Sequence, residues 1–116
     1  MSWHVEASEE FEAWWRSLPA AAQESLDAII HVLEQRGPSL GRPYVDHVKE
    51  SRHSNMKELR VQHHGRPLRV LFAFDQRRVA ILLLGGDKRG DARWYRSHVT
   101  RADRILDRHI EQLRRV

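Results

Sequence analysis

Residues 57–86 read K-E-L-R-V-Q-H-H-G-R-P-L-R-V-L-F-A-F-D-Q-R-R-V-A-I-L-L-L-G-G, and this stretch decides the fold. Side chains alternate along Lys57–His63 and along Leu68–Asp75, with the period of a β-strand that buries one face. Val79–Leu84 is apolar on both faces, which is typical of a central strand. Two short polar turns separate the three segments, so the pattern predicts an antiparallel meander.

Helical patterns precede the meander. Ser8 can cap a short amphipathic helix that ends before Pro19, and a second apolar stripe continues to Gly37. Trp3–Ala7 alternates like a short first strand. The first third of the chain is therefore predicted to be one strand followed by a helical hairpin.

The remaining segments complete the predicted order. Tyr44–Lys49 is a short strand or a turn, Gly85–Arg93 is a glycine-rich charged loop, and Thr100 can cap a last helix. The order is then β-α-α-β-β-β-α in an α+β domain. At 116 residues and 13.7 kDa the chain has the size of a single domain, which we assign to residues 1–116.

Composition excludes several classes of protein. The chain has no cysteine, which excludes a disulfide scaffold, a thiolate zinc site and a cysteine nucleophile. The eight histidines follow no metal-binding pattern, so neither a metal nor another cofactor is expected. The longest apolar run, Val79–Leu84, is too short to cross a bilayer, and residues 1–10 lack a secretory pattern. These features predict a cytoplasmic protein with no membrane partner.

Charge is distributed unevenly along the chain. Residues 1–40 carry two basic and seven acidic side chains, whereas residues 41–116 carry 18 basic and nine acidic ones. Seventeen of the 20 basic residues are arginine, which suits bidentate contacts to phosphate. The basic part therefore predicts a polyanionic partner. The alternative is an arginine-rich solvated surface.

Two arginines of the meander are candidates for anion binding. Arg60 and Arg69 lie on neighbouring strands of one predicted hairpin, and their guanidinium groups converge if both face the same side. Arg69 interrupts an otherwise apolar strand, which favours a function. The alternative is a pair of edge arginines neutralised by Glu58 and Asp75.

The stretch R-W-Y-R-S-H at residues 93–98 joins aromatic and basic side chains. Such a pattern can stack on unpaired bases and hold phosphates. Tyr95 and His98 are three residues apart and could act as acid or base. The alternative, preferred for Trp94, is that the aromatic residues anchor the last helix to the sheet.

Taken together, these motifs resemble the RelE/HigB-type toxins of bacterial type II toxin–antitoxin modules, in their phage-related branch. The resemblance implies a RelE-like microbial RNase fold, with a helical hairpin packed on a twisted antiparallel sheet. It also implies metal-independent cleavage of mRNA, in many members only on the ribosome. The motifs that carry it are L-G-R-P at 40–43, K-E-L-R-V at 57–61, G-R-P-L-R-V-L-F-A-F-D at 65–75, L-L-L-G-G-D-K at 82–88 and R-W-Y-R-S-H at 93–98.

The resemblance also assigns roles to individual residues. Arg60 matches a basic residue of the first hairpin strand, and Arg69 would bind the scissile phosphate. Arg89, or alternatively Lys88, matches the cation after the last strand, and Tyr95 matches the acid–base or stacking residue. The C-terminal histidine of HigB-like members corresponds to His98. The further residues expected to contact RNA are Lys57, Arg66, Lys88, Arg93 and Trp94.

The general base stays open at this point. The RelE pattern has two lysines alternating on the first hairpin strand, and one of these positions is Glu58 here. Arginine is always protonated and cannot serve easily as the base, so Lys57, Tyr95 and His98 are the candidates for this role. His98 has the most suitable ordinary pKa.

Partners follow from the resemblance. It implies a cognate antitoxin with a helix-turn-helix DNA-binding domain, and mRNA and the ribosome as targets, so that translation is inhibited. The alternatives are a ParE-like gyrase inhibitor without nuclease activity and a catalytically degenerate RNA-binding protein.

Overall fold

The computed structural model describes residues 2–115, which form a five-stranded sheet with helices on both faces. None of the helices in this range is long and apolar enough to span a membrane. The elements are β1 (Val5–Ala7), α1 (Glu9–Ser17), α2 (Ala20–Arg36), a short 3₁₀ turn (Gly37–Ser39), β2 (Val45–His47), β3 (Lys57–His63), β4 (Arg66–Phe74), β5 (Ala80–Asp87) and α3 (Trp94–Arg114).

The strands are arranged in the order β1-β5-β4-β3-β2. The β2–β3, β3–β4 and β4–β5 pairs are antiparallel, as the meander predicts, whereas β1 runs parallel to β5. The α+β class is confirmed, and the predicted order of elements differs from the observed order by one additional strand. The segment Tyr44–Lys49, which the sequence assigns to a strand or a turn, contains the additional strand β2.

A two-residue turn sets the register of the β3–β4 hairpin. His64 and Gly65 have φ values of 49° and 76°, the left-handed conformations that a tight hairpin turn requires at both central positions. Strand pairing runs from His63 and Arg66 along the hairpin and places Arg60 directly opposite Arg69. The turn therefore decides which side chains meet across the sheet.

The predicted helical hairpin covers one face of the sheet. Ser8 caps α1, because its hydroxyl oxygen accepts a hydrogen bond from the Phe11 N–H at 3.0 Å. Pro19 precedes α2, and Gly37 follows it with a φ of 60°. The core on this face includes Phe11, Ala22, Leu26, Leu33, Leu59, Val61, Leu68, Val70, Phe72 and Leu82.

Helix α3 covers the other face. The buried residues of α3 pack on the side chains that β4 and β5 direct away from the helical hairpin α1–α2. The segment between β2 and β3 is tied to α3 by the buried Asp103, whose carboxylate accepts a hydrogen bond from the Ser51 hydroxyl at 2.5 Å. The core on this face includes Val48, Met56, Leu71, Ala73, Ile81, Leu83, Trp94, Val99, Ala102, Ile105 and Leu106.

The predicted start of the last helix at Thr100 is wrong. Helix α3 begins at Trp94, and the Thr100 hydroxyl donates to the Arg96 carbonyl at 2.8 Å within the helix. The Asp91 carboxylate accepts the Arg93 N–H at 2.9 Å and so orders the chain just before the helix. Helix α3 begins six residues earlier than predicted because the buried Trp94, which is 2% exposed, extends its apolar stripe toward the N-terminus.

The predicted loop also begins too early, since β5 continues through Gly85, Gly86 and Asp87. A Cβ atom at Gly85 would overlap the ring of Trp14 on α1, and one at Gly86 would lie 2.8 Å from Nε1 of Trp94. Each glycine therefore leaves space for an indole ring on a different face of the strand. The two residues serve close packing within a strand and not loop flexibility.

Candidate active site

One row of residues crosses the α3 face of the sheet. Arg60 on β3 pairs with Arg69 on β4, and Arg69 pairs with Gly86 on β5. Directly opposed residues of antiparallel strands point to the same face, so the two guanidinium groups share this side. Like charges opposite one another destabilise a sheet unless a counter-charge lies nearby, and Glu58 on the same face supplies one for Arg69.

The side chain of Arg69 is enclosed. The residue is 5% exposed, its Nη1 donates to the Leu68 carbonyl at 3.0 Å, and its Nε lies 3.3 Å from Oε1 of Glu58. Among residues 2–115, Nε has no aligned hydrogen-bond acceptor, so this contact is an ion pair by distance only. Glu58 is itself buried, and its charge compensates Arg69 inside the fold.

Tyr95 connects α3 to the same ion pair. Its hydroxyl donates to Oε1 of Glu58 at 2.6 Å, and Nζ of Lys88 lies 5.5 Å from the centre of its ring. Burial and the hydrogen bond to the Glu58 carboxylate raise the pKa of Tyr95 above its usual value. Tyr95 therefore keeps its proton at neutral pH and can donate a hydrogen bond, but it is a poor base.

His98 lies at the β5 end of the row. Its ring stacks on Trp94 with 4.3 Å between centres, and a Cβ atom at Gly86 would lie 3.2 Å from its Nε2. Its Nδ1 lies 3.0 Å from the Trp94 carbonyl, which can only accept a hydrogen bond. Nδ1 is therefore the protonated nitrogen of the neutral ring, and Nε2 keeps a lone pair beside the sheet.

Burial lowers the pKa of His98 below its ordinary value, and the positive charge of Arg101 lowers it further. The folded chain then binds fewer protons than the unfolded chain between that lowered pKa and 6.5. Stability contributed at this site is complete above about pH 6.5 and is lost as the pH falls toward the pKa of the folded state.

We expect His98→Asn to lose less stability than the unchanged protein when the pH is lowered from about 7.5 to about 5. Urea unfolding at both pH values measures the change in unfolding free energy of each protein. The change in the variant comes from the other titrating groups, so subtracting it leaves the contribution of His98. An equal loss in the two proteins would contradict the lowered pKa of His98.

A groove opens at the Arg60 end of the row. It has a volume of about 420 Å³, lies between α2 and β3, and is lined by Ser25, Ile29, Pro43, Tyr44, Arg60, Val61 and Gln62. We call it the Tyr44 groove. A second space of about 190 Å³ shares Arg60 and Gln62 with it and reaches Arg69. The Tyr44 groove and the arginine pair thus form one continuous surface.

Three of the predicted RNA-contacting residues do not join this site. Lys57 lies on the opposite face of β3, where its Nζ is 3.4 Å from the Pro38 carbonyl. Arg66 lies on the same face as Leu68 and pairs with Asp87 at 2.8 Å. Trp94 is an anchor of α3, because its buried ring offers no free face for a base.

The loop between β5 and α3 holds the remaining predicted cations. Arg89 and Arg93 are exposed, and their backbone N–H groups are held by Asp87 and Asp91, each at 2.9 Å. Lys88 is the member of this loop that contacts Tyr95, so the structure favours it over Arg89 as the cation nearest the row.

Sequence reasoning offers Glu58 as a partner that neutralises the arginines, which the pair with Arg69 bears out, but it misses the contact of Glu58 with Tyr95. The alternation along β3 already places Glu58 on the same face as Arg60, two residues away. Its contact with Tyr95 joins residues 37 positions apart, which no local pattern reveals. Within the described range, no group of three histidine, aspartate or glutamate side chains could hold a metal ion.

The fold is similar to that of RelE proteins of known structure. A double arginine mutant of E. coli toxin RelE in the free state aligns with a TM-score of 0.58 at 10% identity, over 81% of this chain and 92% of that one. The archaeal RelE–RelB complex from Pyrococcus horikoshii OT3 aligns with a TM-score of 0.55 at 20% identity, over 79% and 100%. The RelE-like fold implied by the sequence motifs is confirmed.

Sequence comparison then identifies the family. Residues 13–107 match the phage derived protein Gp49-like family, and the chain belongs to it. Two relatives come from Mycobacterium tuberculosis. Putative toxin HigB2 is 45% identical over 90% of this chain and 53% of its own length, and putative toxin HigB3 is 50% identical over 81% and 82%. The chain thus spans about half of HigB2 and most of HigB3. The resemblance to RelE/HigB-type toxins is confirmed.

Proposed function

We propose that residues 1–116 act as one toxin domain of a toxin–antitoxin module, which cleaves mRNA without a metal ion and so inhibits translation. The observation that carries this proposal is the row Arg60–Arg69–Gly86, in which two arginines are opposed on one face of the sheet and Nε2 of His98 lies against Gly86 at its end. Relatives named as HigB toxins support the toxin class. The RelE-like fold supports a microbial RNase.

The chemistry requires a base, cations and a proton donor. The ribose 2′-hydroxyl attacks the adjacent phosphorus, the bond to the 5′-oxygen breaks, and the products are a cyclic phosphate and a free 5′-hydroxyl. Nε2 of His98 takes the 2′-proton, since the lowered pKa keeps this ring neutral at pH 7. The guanidinium of Arg60 stabilises the charge on the phosphoryl oxygens. The ammonium of Lys88 protonates the leaving oxygen.

Arg69 and Tyr95 support the site in this proposal without contacting the RNA. The buried Arg69 is paired with Glu58, so it supports the surface that Arg60 presents to the phosphate and leaves Arg60 as the free cation of the row. Tyr95 holds Glu58 against Arg69 and keeps the pair in place. Both residues therefore position the site.

We expect Arg60→Ala to reduce cleavage of ribosome-bound mRNA by about 100-fold or more, because a cation at the transition-state charge is lost. Arg60 makes no ion pair within residues 2–115, so its removal should leave the fold intact. Primer extension on mRNA after induction measures the cleavage. Arg36→Ala, an exposed arginine at the end of α2, is the matched control and should cleave normally.

Unchanged cleavage by Arg60→Ala would overturn the assignment of the site. Toxicity with intact mRNA and trapped gyrase complexes would identify the ParE-like alternative instead. We also propose that the protein acts in the cytoplasm, on mRNA held by the ribosome. A cognate antitoxin with a helix-turn-helix domain would neutralise it by covering the basic face, and a gene for such a protein beside this one is the expected observation.

A further inference from the structure

We propose that the Tyr44 groove binds the nucleobase of the nucleotide next to the phosphate held by Arg60. The inference rests on the proposed function for the identity of that phosphate. It adds a binding site for an unpaired base, with Tyr44 as its stacking surface and Gln62 as the residue that reads the edge of the base.

The groove lies next to Arg60 and is large enough to admit a base. It is continuous with the smaller space above Arg69, and both share Arg60 as a wall. Its volume of about 420 Å³ lies within the range of small-molecule sites. A phosphate on Arg60 therefore leaves its nucleoside facing the groove.

Packing in the core does not explain why an aromatic residue stands at position 44. Tyr44 is 40% exposed and is the one exposed large apolar side chain among residues 2–115. Its carbonyl accepts the Arg60 N–H at 2.7 Å, which ties the backbone of the aromatic residue to that of the arginine. An aromatic ring fixed beside a phosphate-binding arginine is the arrangement that holds unpaired bases.

Polar groups for recognition line the same groove. The exposed Gln62 amide can both donate and accept hydrogen bonds. Ser25 on α2 is already oriented, since its hydroxyl lies 2.7 Å from Nδ1 of the buried His63. Strand β2 pairs only with residues 57–59 of β3, so no described strand covers the edge of β3 at Gln62. The backbone polar groups of Gln62 are thus available to a ligand.

Charge favours a nucleotide over an added peptide strand. The groove leads to two arginines, whereas the nearby acidic groups are engaged elsewhere. Asp46 pairs with Arg42 at 2.6 Å, and Glu58 is buried against Arg69. An anionic ligand meets the free charge of Arg60, which an uncharged segment of an antitoxin would leave unused.

The test measures binding without cleavage. A fluorescent short RNA with 2′-O-methyl riboses cannot be cut, and its anisotropy gives the affinity of the full chain. Tyr44→Ala should weaken binding about tenfold, and Tyr44→Phe, which keeps the ring, should stay within about twofold. Gln62→Ala should change the relative affinity for RNAs that differ in one base. Gln112→Ala, exposed on α3, is its matched control.

The outcomes separate this inference from the proposed function. Weaker binding by Tyr44→Ala supports the base site even if no RNA is ever cleaved. Normal RNA binding and an unchanged base preference in Tyr44→Ala and Gln62→Ala would overturn the base site, while cleavage by the unchanged protein would still support the nuclease. A loss of antitoxin binding in Tyr44→Ala with RNA affinity intact would also overturn it and assign the groove to a peptide.

Discussion

Replacing Glu58 with alanine is expected to lower the free energy of unfolding by about 3–5 kcal/mol. The change leaves the guanidinium of Arg69 buried at 5% exposure without its counter-charge. It also removes the acceptor of the Tyr95 hydroxyl, which holds α3 against the sheet. The cost is therefore that of an uncompensated buried charge, added to an unsatisfied hydroxyl. Urea unfolding at neutral pH measures it.

Glu24→Ala provides the matched control for this prediction. Glu24 is an exposed carboxylate on α2, and its removal should change the free energy of unfolding by no more than about 0.5 kcal/mol. A loss below about 1 kcal/mol in Glu58→Ala would mean that Arg69 finds water or another partner, and that the ion pair does not organise the site.

Replacing Trp94 with alanine is expected to cost about 3–5 kcal/mol of unfolding free energy. The indole is 2% exposed, stacks on His98 and packs over Gly86, so its removal opens a cavity under the first turn of α3. The lost packing also frees His98, and cleavage should fall with stability. Chemical unfolding and the cleavage assay are measured on the same preparation.

Tyr44→Ala is the matched aromatic substitution, because it removes a ring that the core does not use. It should change the free energy of unfolding by at most about 0.5 kcal/mol while reducing the affinity for RNA. The two aromatic residues are thus expected to separate stability from binding. If Trp94→Ala were as stable as Tyr44→Ala, the indole would not anchor α3, and a role in RNA contact would return.

Much of the fold could be predicted because its signals are local. Alternation along β3 and β4 and the apolar run of β5 describe the meander directly. Ser8, Pro19 and Gly37 mark the ends of the helical hairpin in the same way. The start of α3 could not be found this way. The burial of Trp94 depends on a glycine in a strand on which the helix packs, and a charged run at 88–93 resembles a loop.

The site was only partly predictable, for two different reasons. Side chains alternate between the two faces of a strand, which places Lys57 opposite to Arg60 and Arg66 opposite to Arg69. These assignments could therefore be predicted from the sequence. The contact between Glu58 and Tyr95 was not readable, since it depends on how α3 crosses the sheet. The resemblance to RelE implies a lysine at position 58, and the carboxylate found there has meaning only once its partners are known.

The glycine pair of β5 restricts how this chain can vary. Gly85 and Gly86 leave the strand without side chains at two successive positions, and an indole ring fills the space on each face. Any larger residue at position 86 would push α3 away from the sheet, and Tyr95 and His98 on that helix would move with it. Neither glycine needs to contact RNA for this to hold. Both positions are therefore expected to tolerate few substitutions during evolution, for a reason of packing and not of chemistry.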